Sequence, residues 1–324
     1  MATLTIDPFI LTPLPNGKET LMRILAIGEI LFDIMPHSEH LGGAPLNFAA
    51  ALQRLGNDVF VLSGIGNDDH GKQVRQAFES LGLNMDYLQG IAGKATGAAI
   101  VSKDSQGNAN FFIQRPAAFD GITLDRNTLD SIQRLQPDWI YYGTLAQYEA
   151  PSLTLLETLF ENLPNARRFY DMNLREGHWS LPLVRHLSDN ASILKLNEDE
   201  AQTLFQLTRP NQNYSLKTFC EFWSEDHAIE TICVTQGGAG CSVYHARQLD
   251  HFEGFPVQVV DTVGAGDAFA AGFLHGHLHG WSEEKKASFA NSLGALVASR
   301  MGAIPEWSLE ECAQIASSSR EQHS

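Results

Sequence analysis

The chain has 324 residues, with 22 Lys plus Arg against 38 Asp plus Glu, so its formal net charge is −16. This length fits one large α/β domain or two ordinary ones, and the 44 % hydrophobic content is enough to fill a core. The acidic balance repels polyphosphate backbones and anionic lipid surfaces, so we expect neither nucleic acid nor a membrane as partner. Because no secretory leader or run of about 18 apolar residues is present, the sequence predicts a cytoplasmic protein.

The first predicted elements form a strand–helix–strand unit. Residues 1–20 carry several prolines without periodicity, which predicts an extended N-terminal arm or tail. Residues 23–34 are nearly continuous in apolar side chains, as in a strand buried on both faces, and residues 45–55 follow with helical spacing. The apolar run that starts at Asp58 predicts the second strand.

A β-hairpin interrupts this alternation between about residues 88 and 115. Residues 95–104 and 107–114 have the pattern of two strands, joined by the turn sequence Ser105-Gln106-Gly107. Because no helix separates these strands, we expect a small sheet that stands off the main one. Such a sheet is a candidate lid, formed mainly by residues 88–115 together with part of 31–45.

Strands and helices alternate again beyond residue 121. Strands are predicted in the segments DWIYYG, RRFYDMN, ASILKLN and TICVTQ, and shorter ones near residues 240–244 and 258–260. Two helices, 264–279 and 282–300, follow. The pattern predicts an α/β fold with a doubly wound, mostly parallel sheet flanked by helices, in one domain over residues 21–318. Ligands of such a fold bind beyond the carboxyl ends of the strands.

The strongest local signal is the segment DTVGAGDAF at residues 261–269. Gly264, Ala265 and Gly266 can present backbone N–H groups at a helix N-terminus, where the helix dipole favours an anion. Asp267 lies in the first helical turn, where an acid is commonly a capping residue. Beside an anion-binding site it can instead accept a proton from a hydroxyl group during phosphoryl transfer.

Four motifs together resemble the ribokinase-like (pfkB) carbohydrate kinase family. The segment DTVGAGDAF resembles its C-terminal signature, and GGAPLNFA at residues 42–49 resembles its sugar-binding glycine pair with an asparagine. KLNEDE resembles its N-x-x-E element, and TQGGAG its T-x-G-x-x-G turn. Agreement in order and spacing over most of the chain makes the resemblance specific. It implies a ribokinase-like fold, ATP as phosphoryl donor and Mg²⁺ as cofactor.

The resemblance assigns sugar-side roles to five residues. It implies that Asp267 is the catalytic base and that Asp33, in GEILFD, holds sugar hydroxyls, although an exposed loop acid is an open alternative. Gly42, Gly43 and Asn47 are expected to complete the sugar pocket, because glycines allow close approach and an amide both donates and accepts. The alternative for these three is a simple turn and helix start.

The resemblance also assigns the nucleotide side. Asn197 and Glu200 match the element near Mg²⁺ and phosphate, with Mg²⁺ held through water, although the same spacing is typical of a helix capping box. Thr235, Gly237 and Gly240 match the nucleotide-binding turn.

Three further residues are assigned on the resemblance alone. Asp261 and Thr262 resemble positions near a monovalent cation, for which K⁺ is the expected ion, and Asn291 is expected near adenine. Family members often pair through the lid, so the resemblance also implies a homodimer.

Fructose is the expected sugar. The glycine-alanine-proline form of GGAPLNF is the one seen in fructokinases, and DMNLREGHW, with Asn173 and Arg175, resembles their D-x-N-x-R element. In 2-keto-3-deoxygluconate kinases an arginine matching Arg175 can bind the substrate carboxylate, and Arg115 is a second candidate for that contact. For either arginine a surface ion pair is the alternative.

These observations lead to one expected activity and three alternatives. We expect an ATP-dependent sugar kinase that transfers the γ-phosphoryl group to a hydroxymethyl oxygen, with fructose as acceptor. A 2-keto-3-deoxygluconate kinase is the nearest alternative. A nucleoside kinase of the same fold and a non-catalytic sugar-binding sensor also remain open.

Overall fold

A computed structural model describes residues 22–103 and 109–321, and describes only the backbone of residues 101–103, 109–111 and 318–321. The predicted N-terminal arm and the turn Ser105-Gln106-Gly107 lie outside the described residues.

The strands, in chain order, are β1 (Arg23–Ile27), β2 (Leu31–Met35), β3 (Ser38–Gly42), β4 (Asp58–Gly66), β5 (Leu88–Ile91), β6 (Gly97–Lys103), β7 (Ala109–Ile113), β8 (Trp139–Gly143), β9 (Arg167–Asp171), β10 (Ile193–Asn197), β11 (Thr231–Thr235), β12 (Gly240–His245) and β13 (Gln248–Glu253). The helices are α1 (Ala44–Arg54), α2 (Asp69–Leu81), α3 (Arg126–Leu135), α4 (Ala150–Asn162), α5 (Leu181–Ser188), α6 (Glu198–Thr208), α7 (Leu216–His227), α8 (Ala265–Leu278), α9 (Glu283–Ala298) and α10 (Leu309–Glu321).

The described strands form two sheets. The large sheet has nine strands in the order β13-β12-β11-β10-β9-β8-β1-β4-β5, and only its pairings β11–β12 and β12–β13 are antiparallel. Strand order reverses at β1, since the chain continues to β4 on one side and later to β8 on the other. A ligand site is expected beyond the carboxyl ends of these central strands.

Apolar cores cover both faces of the large sheet. Along β1, Ile24 and Ala26 pack in a cluster with helices α1, α2, α8, α9 and α10, whereas Leu25 and Ile27 pack in a second cluster with α3 to α7. A central parallel strand buried on both faces carries such a continuous apolar run. The predicted doubly wound α/β fold is therefore confirmed. None of the helices in the described ranges is long and apolar enough to cross a bilayer.

The apolar run 23–34 is two strands, and the prediction of one strand was wrong. β1 belongs to the large sheet and β2 to the small sheet, whose order is β3-β2-β6-β7. The chain changes direction at Gly28, whose φ of 151° favours glycine and where a Cβ would lie 2.7 Å from the Pro45 ring. Both strands are apolar, so hydrophobicity alone does not show the break.

The small sheet contains the predicted hairpin. Strands β6 and β7 pair antiparallel, and β2 pairs parallel to β6. The predicted lid boundary needs one correction, because β5 (88–91) pairs with β4 in the large sheet. The described strands of the small sheet therefore cover residues 31–35, 38–42, 97–103 and 109–113.

Three other details of the prediction need correction. The predicted strand at 258–260 is irregular, and the neighbouring strand is β13 instead. β13 is an exposed edge strand with a mostly polar sequence, so it lacks an apolar strand pattern. A tenth helix, α10, follows the two predicted C-terminal helices and ends at Glu321, beyond the domain boundary predicted at 318.

Candidate active site

The N-terminus of α8 lies beyond the strand ends, against a loop that includes Ala303. Gly264 is its N-cap, with φ of 78°, and a Cβ at this position would lie 2.4 Å from the carbonyl oxygen of Ala303. Only glycine combines this left-handed backbone with so close an approach. The first turn leaves the backbone N–H groups of residues 264–266 without an acceptor inside the helix, as an anion site requires, although that of Ala265 donates to the Thr262 carbonyl oxygen at 3.3 Å.

We expect Gly264→Ala to lower the free energy of unfolding by about 3 kcal/mol, because overpacking adds to left-handed strain. Gly93→Ala is the matched control: its φ is 76°, nearly that of Gly264, and a Cβ there meets nothing within 4 Å. The control variant should lose only about 1–2 kcal/mol. Urea denaturation of both variants measures the difference, and equal losses would contradict the close packing at Gly264.

Asp267 is buried in the first turn of α8, with 9 % of its surface exposed. Asn47, on α1, donates a hydrogen bond from Nδ2 to Asp267 Oδ2 at 2.7 Å. Burial, together with the nearby Asp171 carboxylate, raises the pKa of Asp267 to about 6, and Lys195 and the Asn47 hydrogen bond oppose this shift. A carboxylate with this pKa is ionised at neutral pH and is basic enough to accept a hydroxyl proton.

A polar cavity of about 300 Å³ opens beside Asp267. Polar side chains on its wall include those of Glu29, Asp33, Asn47, Asn173, Arg175 and Asp267. Three buried atoms among them have no hydrogen-bond partner in the described structure: Glu29 Oε2, Asn47 Oδ1 and Asn173 Nδ2. Because unsatisfied buried polar atoms are rare in proteins, their concentration on one wall indicates a site for a polyhydroxylated ligand.

Of the predicted glycine pair, Gly43 lines this cavity, and Gly42 lies beside two of its polar side chains. A Cβ at Gly42 would lie 3.6 Å from Asp33 Oδ2 and 3.8 Å from the Asn47 amide, and a Cβ at Gly43 would lie 2.4 Å from the carbonyl oxygen of Glu29. Gly42 therefore leaves room between the two polar side chains, and Gly43 has to be glycine. Burial raises the pKa of Asp33, although Arg175 opposes the shift.

A second cavity, of about 320 Å³, lies on the other side of the α8 N-terminus. Its lining includes five of the six residues predicted on the nucleotide side, Asn197, Thr235, Gly237, Gly240 and Asn291, but not Glu200. Thr262 and Gly266 line both cavities, whereas Asp267 lines only the polar one. The two cavities thus meet at the anion-binding turn of α8.

A family model for the pfkB carbohydrate kinases matches residues 35–311. The chain belongs to the pfkB family of carbohydrate kinases. It is 28 % identical over 301 residues to a fructokinase of Escherichia coli, an alignment that covers 87 % of this chain and 95 % of that protein. A fructokinase of Klebsiella pneumoniae is 29 % identical over 315 residues, covering 89 % of this chain and 95 % of that protein. Family membership and these two fructokinase relatives identify the chain as a sugar phosphotransferase.

Solved structures show the same fold. A fructokinase from Xylella fastidiosa with bound ATP superposes with a TM-score of 0.79 at 22 % identity, covering 93 % of this chain and 99 % of that one. A 2-dehydro-3-deoxygluconokinase from Thermotoga maritima gives a TM-score of 0.78 at 21 % identity, covering 91 % and 99 %. The ribokinase-like fold that the motifs implied is confirmed.

In this pfkB kinase, the pair Asn197 and Glu200 forms a capping box. Asn197 Oδ1 accepts from the Glu200 backbone N–H at 2.8 Å, and Glu200 Oε2 accepts from the Asn197 N–H at 2.9 Å. Glu200 Oε1 accepts from the Leu174 N–H at 2.7 Å. The helix capping box, which was the alternative to a Mg²⁺ role for this pair, is therefore present. A role of the two residues near Mg²⁺ would come in addition to capping α6.

Two further predicted residues have backbone partners. Asn291 donates from Nδ2 to the carbonyl oxygens of Phe252 and Glu253, each at 3.1 Å, although the residue lines the nucleotide-side cavity. Asp261 accepts from the N–H groups of Val263 and Gly302 at 3.1 and 3.0 Å, and thereby joins the α8 turn to the loop after α9.

The two predicted arginines lie in different places. Arg175 lines the polar cavity and has no hydrogen bond or ion pair within the described residues. Arg115 is buried, forms an ion pair with Asp120 and donates to the carbonyl oxygen of Leu145 at 2.9 Å, so it does not line that cavity. The prediction of Arg115 as a substrate-binding residue is not supported, because its guanidinium is already paired.

A buried ionic network below the α8 turn was missed from the sequence. Lys195 Nζ donates to Asp171 Oδ1 at 2.9 Å, and the Tyr141 hydroxyl donates to Asp171 Oδ2 at 2.8 Å. A Cβ at Gly266 would lie 3.0 Å from Lys195 Nζ, so the ammonium lies directly beside the anion-binding turn. The sequence feature that could have indicated this network is Lys195 itself, a single lysine inside the apolar strand segment ILKLN.

Proposed function

We propose that this kinase transfers the γ-phosphoryl group of ATP to a hydroxymethyl oxygen of fructose. The observation that carries the proposal is the meeting of two cavities at the α8 N-terminus, with Asp267 on the wall of the polar one. This arrangement lets a sugar and a nucleoside triphosphate approach one another at a set of backbone N–H donors.

In the proposed reaction, Asp267 accepts the proton of the acceptor hydroxyl as its oxygen attacks the γ-phosphorus, and ADP departs. Asn47 fixes the carboxylate through its 2.7 Å hydrogen bond. The N–H groups of residues 264–266 and the neighbouring Lys195 ammonium stabilise the negative charge of the transferring group. Asp33, Asn173 and the glycine pair hold the sugar.

Magnesium and potassium belong to the proposal. The oxygen donors Asn197 and Glu200 suit Mg²⁺, but both Glu200 oxygens already bind backbone N–H groups, which supports contact through water. Mg²⁺ supplies charge neutralisation at the ATP phosphates when bound. Asp261 and Thr262 remain the proposed neighbours of a monovalent cation such as K⁺, and K⁺-dependent turnover tests that assignment.

We expect kcat/KM to fall as the pH drops through about 6, because Asp267 must be ionised in the free enzyme to accept the hydroxyl proton. Below that pH the loss should approach about tenfold per pH unit. Initial rates at subsaturating fructose measure this profile, with circular dichroism at each pH to confirm the folded state. A flat profile from pH 5 to 7 would exclude Asp267 as the titrating base.

The small sheet is proposed to close over the sugar and to form a homodimer. Its residues Leu31, Asp33, Ala99 and Ile113 line the polar cavity, which supports a role in covering the sugar. Ile100 and Phe112 lie opposite each other in the register of β6 and β7 and are 38 % and 67 % exposed, which supports pairing of two copies. A cytoplasmic location stays a prediction.

A 2-keto-3-deoxygluconate kinase is the second candidate, favoured by the free guanidinium of Arg175 in the polar cavity. Fructose is favoured by the fructokinase relatives. ADP release measured with fructose, 2-keto-3-deoxygluconate, ribose and adenosine, each offered separately with ATP and Mg²⁺, distinguishes the candidates. Turnover with fructose supports the proposal. Turnover with the keto acid alone, lost in Arg175→Met, would replace fructose by the sugar acid.

A further inference from the structure

Glu29 is a buried carboxyl group in the polar cavity that neither the sequence motifs nor the proposed reaction uses. Only 6 % of the residue is exposed, and its Oε2 has no hydrogen-bond partner in the described structure. Burial of an unsatisfied carboxyl oxygen costs stability. A position that keeps such a group beside a ligand cavity is a candidate for ligand binding.

The backbone around Glu29 is held tightly. The residue lies just after β1, where the chain crosses from the large sheet to the small sheet at Gly28. Gly43 packs against its carbonyl oxygen so closely that a Cβ there would lie 2.4 Å away. Because the glycine next to the sugar cavity fixes the Glu29 backbone, the carboxyl group has a defined position on the cavity wall.

The charges around Glu29 suit a hydrogen-bonding role. Burial, with a smaller contribution from the Asp267 charge, raises its pKa to about 7, and its own backbone N–H, Arg175 and Arg115 oppose this shift. Near neutral pH the carboxyl group therefore exists in both protonation states. It can donate to a hydroxyl oxygen when protonated and accept from a hydroxyl when ionised.

We propose that Glu29 binds the sugar directly, with its unpaired Oε2 hydrogen-bonded to one hydroxyl group that is distinct from the reacting one. This assignment rests on the proposed function and extends it, because it makes Glu29 a specificity-determining residue for neutral polyhydroxylated sugars. Asn47 Oδ1 and Asn173 Nδ2, the other two unpartnered atoms on this wall, provide further hydrogen-bonding positions.

A cycle of protein and substrate deletions tests the assignment. Glu29→Met removes both carboxyl oxygens, and the apolar methionine side chain, which is of similar length, fills the space. Glu29→Gln keeps a hydrogen-bonding group at this position without the charge. Glu79→Gln, on the exposed face of α2, is the control for loss of one carboxylate. Equilibrium binding of fructose and of each monodeoxyfructose is measured for the wild type and the variants, together with KM for ATP.

We expect Glu29→Met to weaken fructose binding about tenfold or more and to leave the KM for ATP unchanged. One monodeoxyfructose should bind the wild type about tenfold less tightly than fructose does, yet bind Glu29→Met as well as fructose does. Glu29→Gln should restore most of the affinity for fructose. If Glu29→Met fails to fold, Glu29→Ala, which also removes both oxygens, takes its place in this comparison and must show the same loss of preference for that one hydroxyl.

Two results would overturn the assignment. Unchanged fructose affinity in both Glu29 variants, or equal losses for every monodeoxyfructose in wild type and variants, would leave Glu29 a structural residue while the kinase proposal stands. A wild type that binds none of these sugars would overturn the proposed function together with this inference.

Discussion

Asp267→Asn is expected to lower kcat by about 10²–10⁴-fold, because the amide cannot accept the proton of the attacking hydroxyl. The change is nearly isosteric, and Asn can still take part in a hydrogen bond with Asn47, whose Nδ2 lies 2.7 Å from Asp267 Oδ2. The fold should therefore persist. Removal of a partly desolvated carboxylate leaves the free energy of unfolding equal to or above that of the wild type at neutral pH.

Steady-state kinetics and binding separate this effect from a loss of substrate affinity. We expect fructose and ATP to bind Asp267→Asn within about threefold of the wild type, so that kcat and kcat/KM fall together. Asn47→Ala is the companion variant: it frees the Asp267 carboxylate without removing it and should cost far less in kcat. Full activity of Asp267→Asn in a folded protein would rule out the proposed base.

Lys195→Met is expected to lower the free energy of unfolding by about 3–5 kcal/mol, because it leaves the Asp171 carboxylate buried without its cation. Asp171 is fully buried and Lys195 is 3 % exposed, so solvent does not compensate for the loss. Burial lowers the pKa of Lys195, but the Asp171 carboxylate outweighs this effect and holds the pKa above its ordinary value. The lysine is therefore charged in the folded protein. Urea denaturation measures the loss.

Lys195→Met should also change the chemistry, because the Lys195 charge lowers the pKa of Asp267. Without that charge the pKa of Asp267 rises, and the acidic limb of the kcat/KM profile moves to higher pH. The double variant Asp171→Asn with Lys195→Met removes both charges but keeps an acceptor for the Tyr141 hydroxyl, and it should recover most of the stability. A double variant as unstable as Lys195→Met would show that packing, not charge, is responsible.

The strand and helix order of the central fold follows from the sequence because each buried parallel strand is a short apolar run between helical segments. β8, β9, β10 and β11 were all predicted in this way. The break between β1 and β2 was not predictable from hydrophobicity, because it depends on the tertiary packing of Gly28 against the Pro45 ring. β13 lacks an apolar pattern because it is an exposed edge.

The site was predictable where one short motif carries both the backbone geometry and the chemistry. Gly264 and Asp267 lie in one turn, and both line the polar cavity, which meets the second cavity at Thr262 and Gly266. Glu29 and Lys195 were missed, since their importance depends on which residues surround them in space. Arg115 was predicted to bind the sugar because the sequence does not show that its guanidinium forms an ion pair with Asp120.

The central claim is that the γ-phosphoryl group passes directly to a sugar hydroxyl at the α8 N-terminus. Phosphorus NMR of the wild type with ATP, Mg²⁺ and fructose tests it by following ADP, inorganic phosphate and sugar phosphate in one sample. We predict one fructose phosphate for each ADP, with no inorganic phosphate, and no product with Asp267→Asn. Release of ADP with inorganic phosphate in place of a phosphorylated sugar would contradict the account.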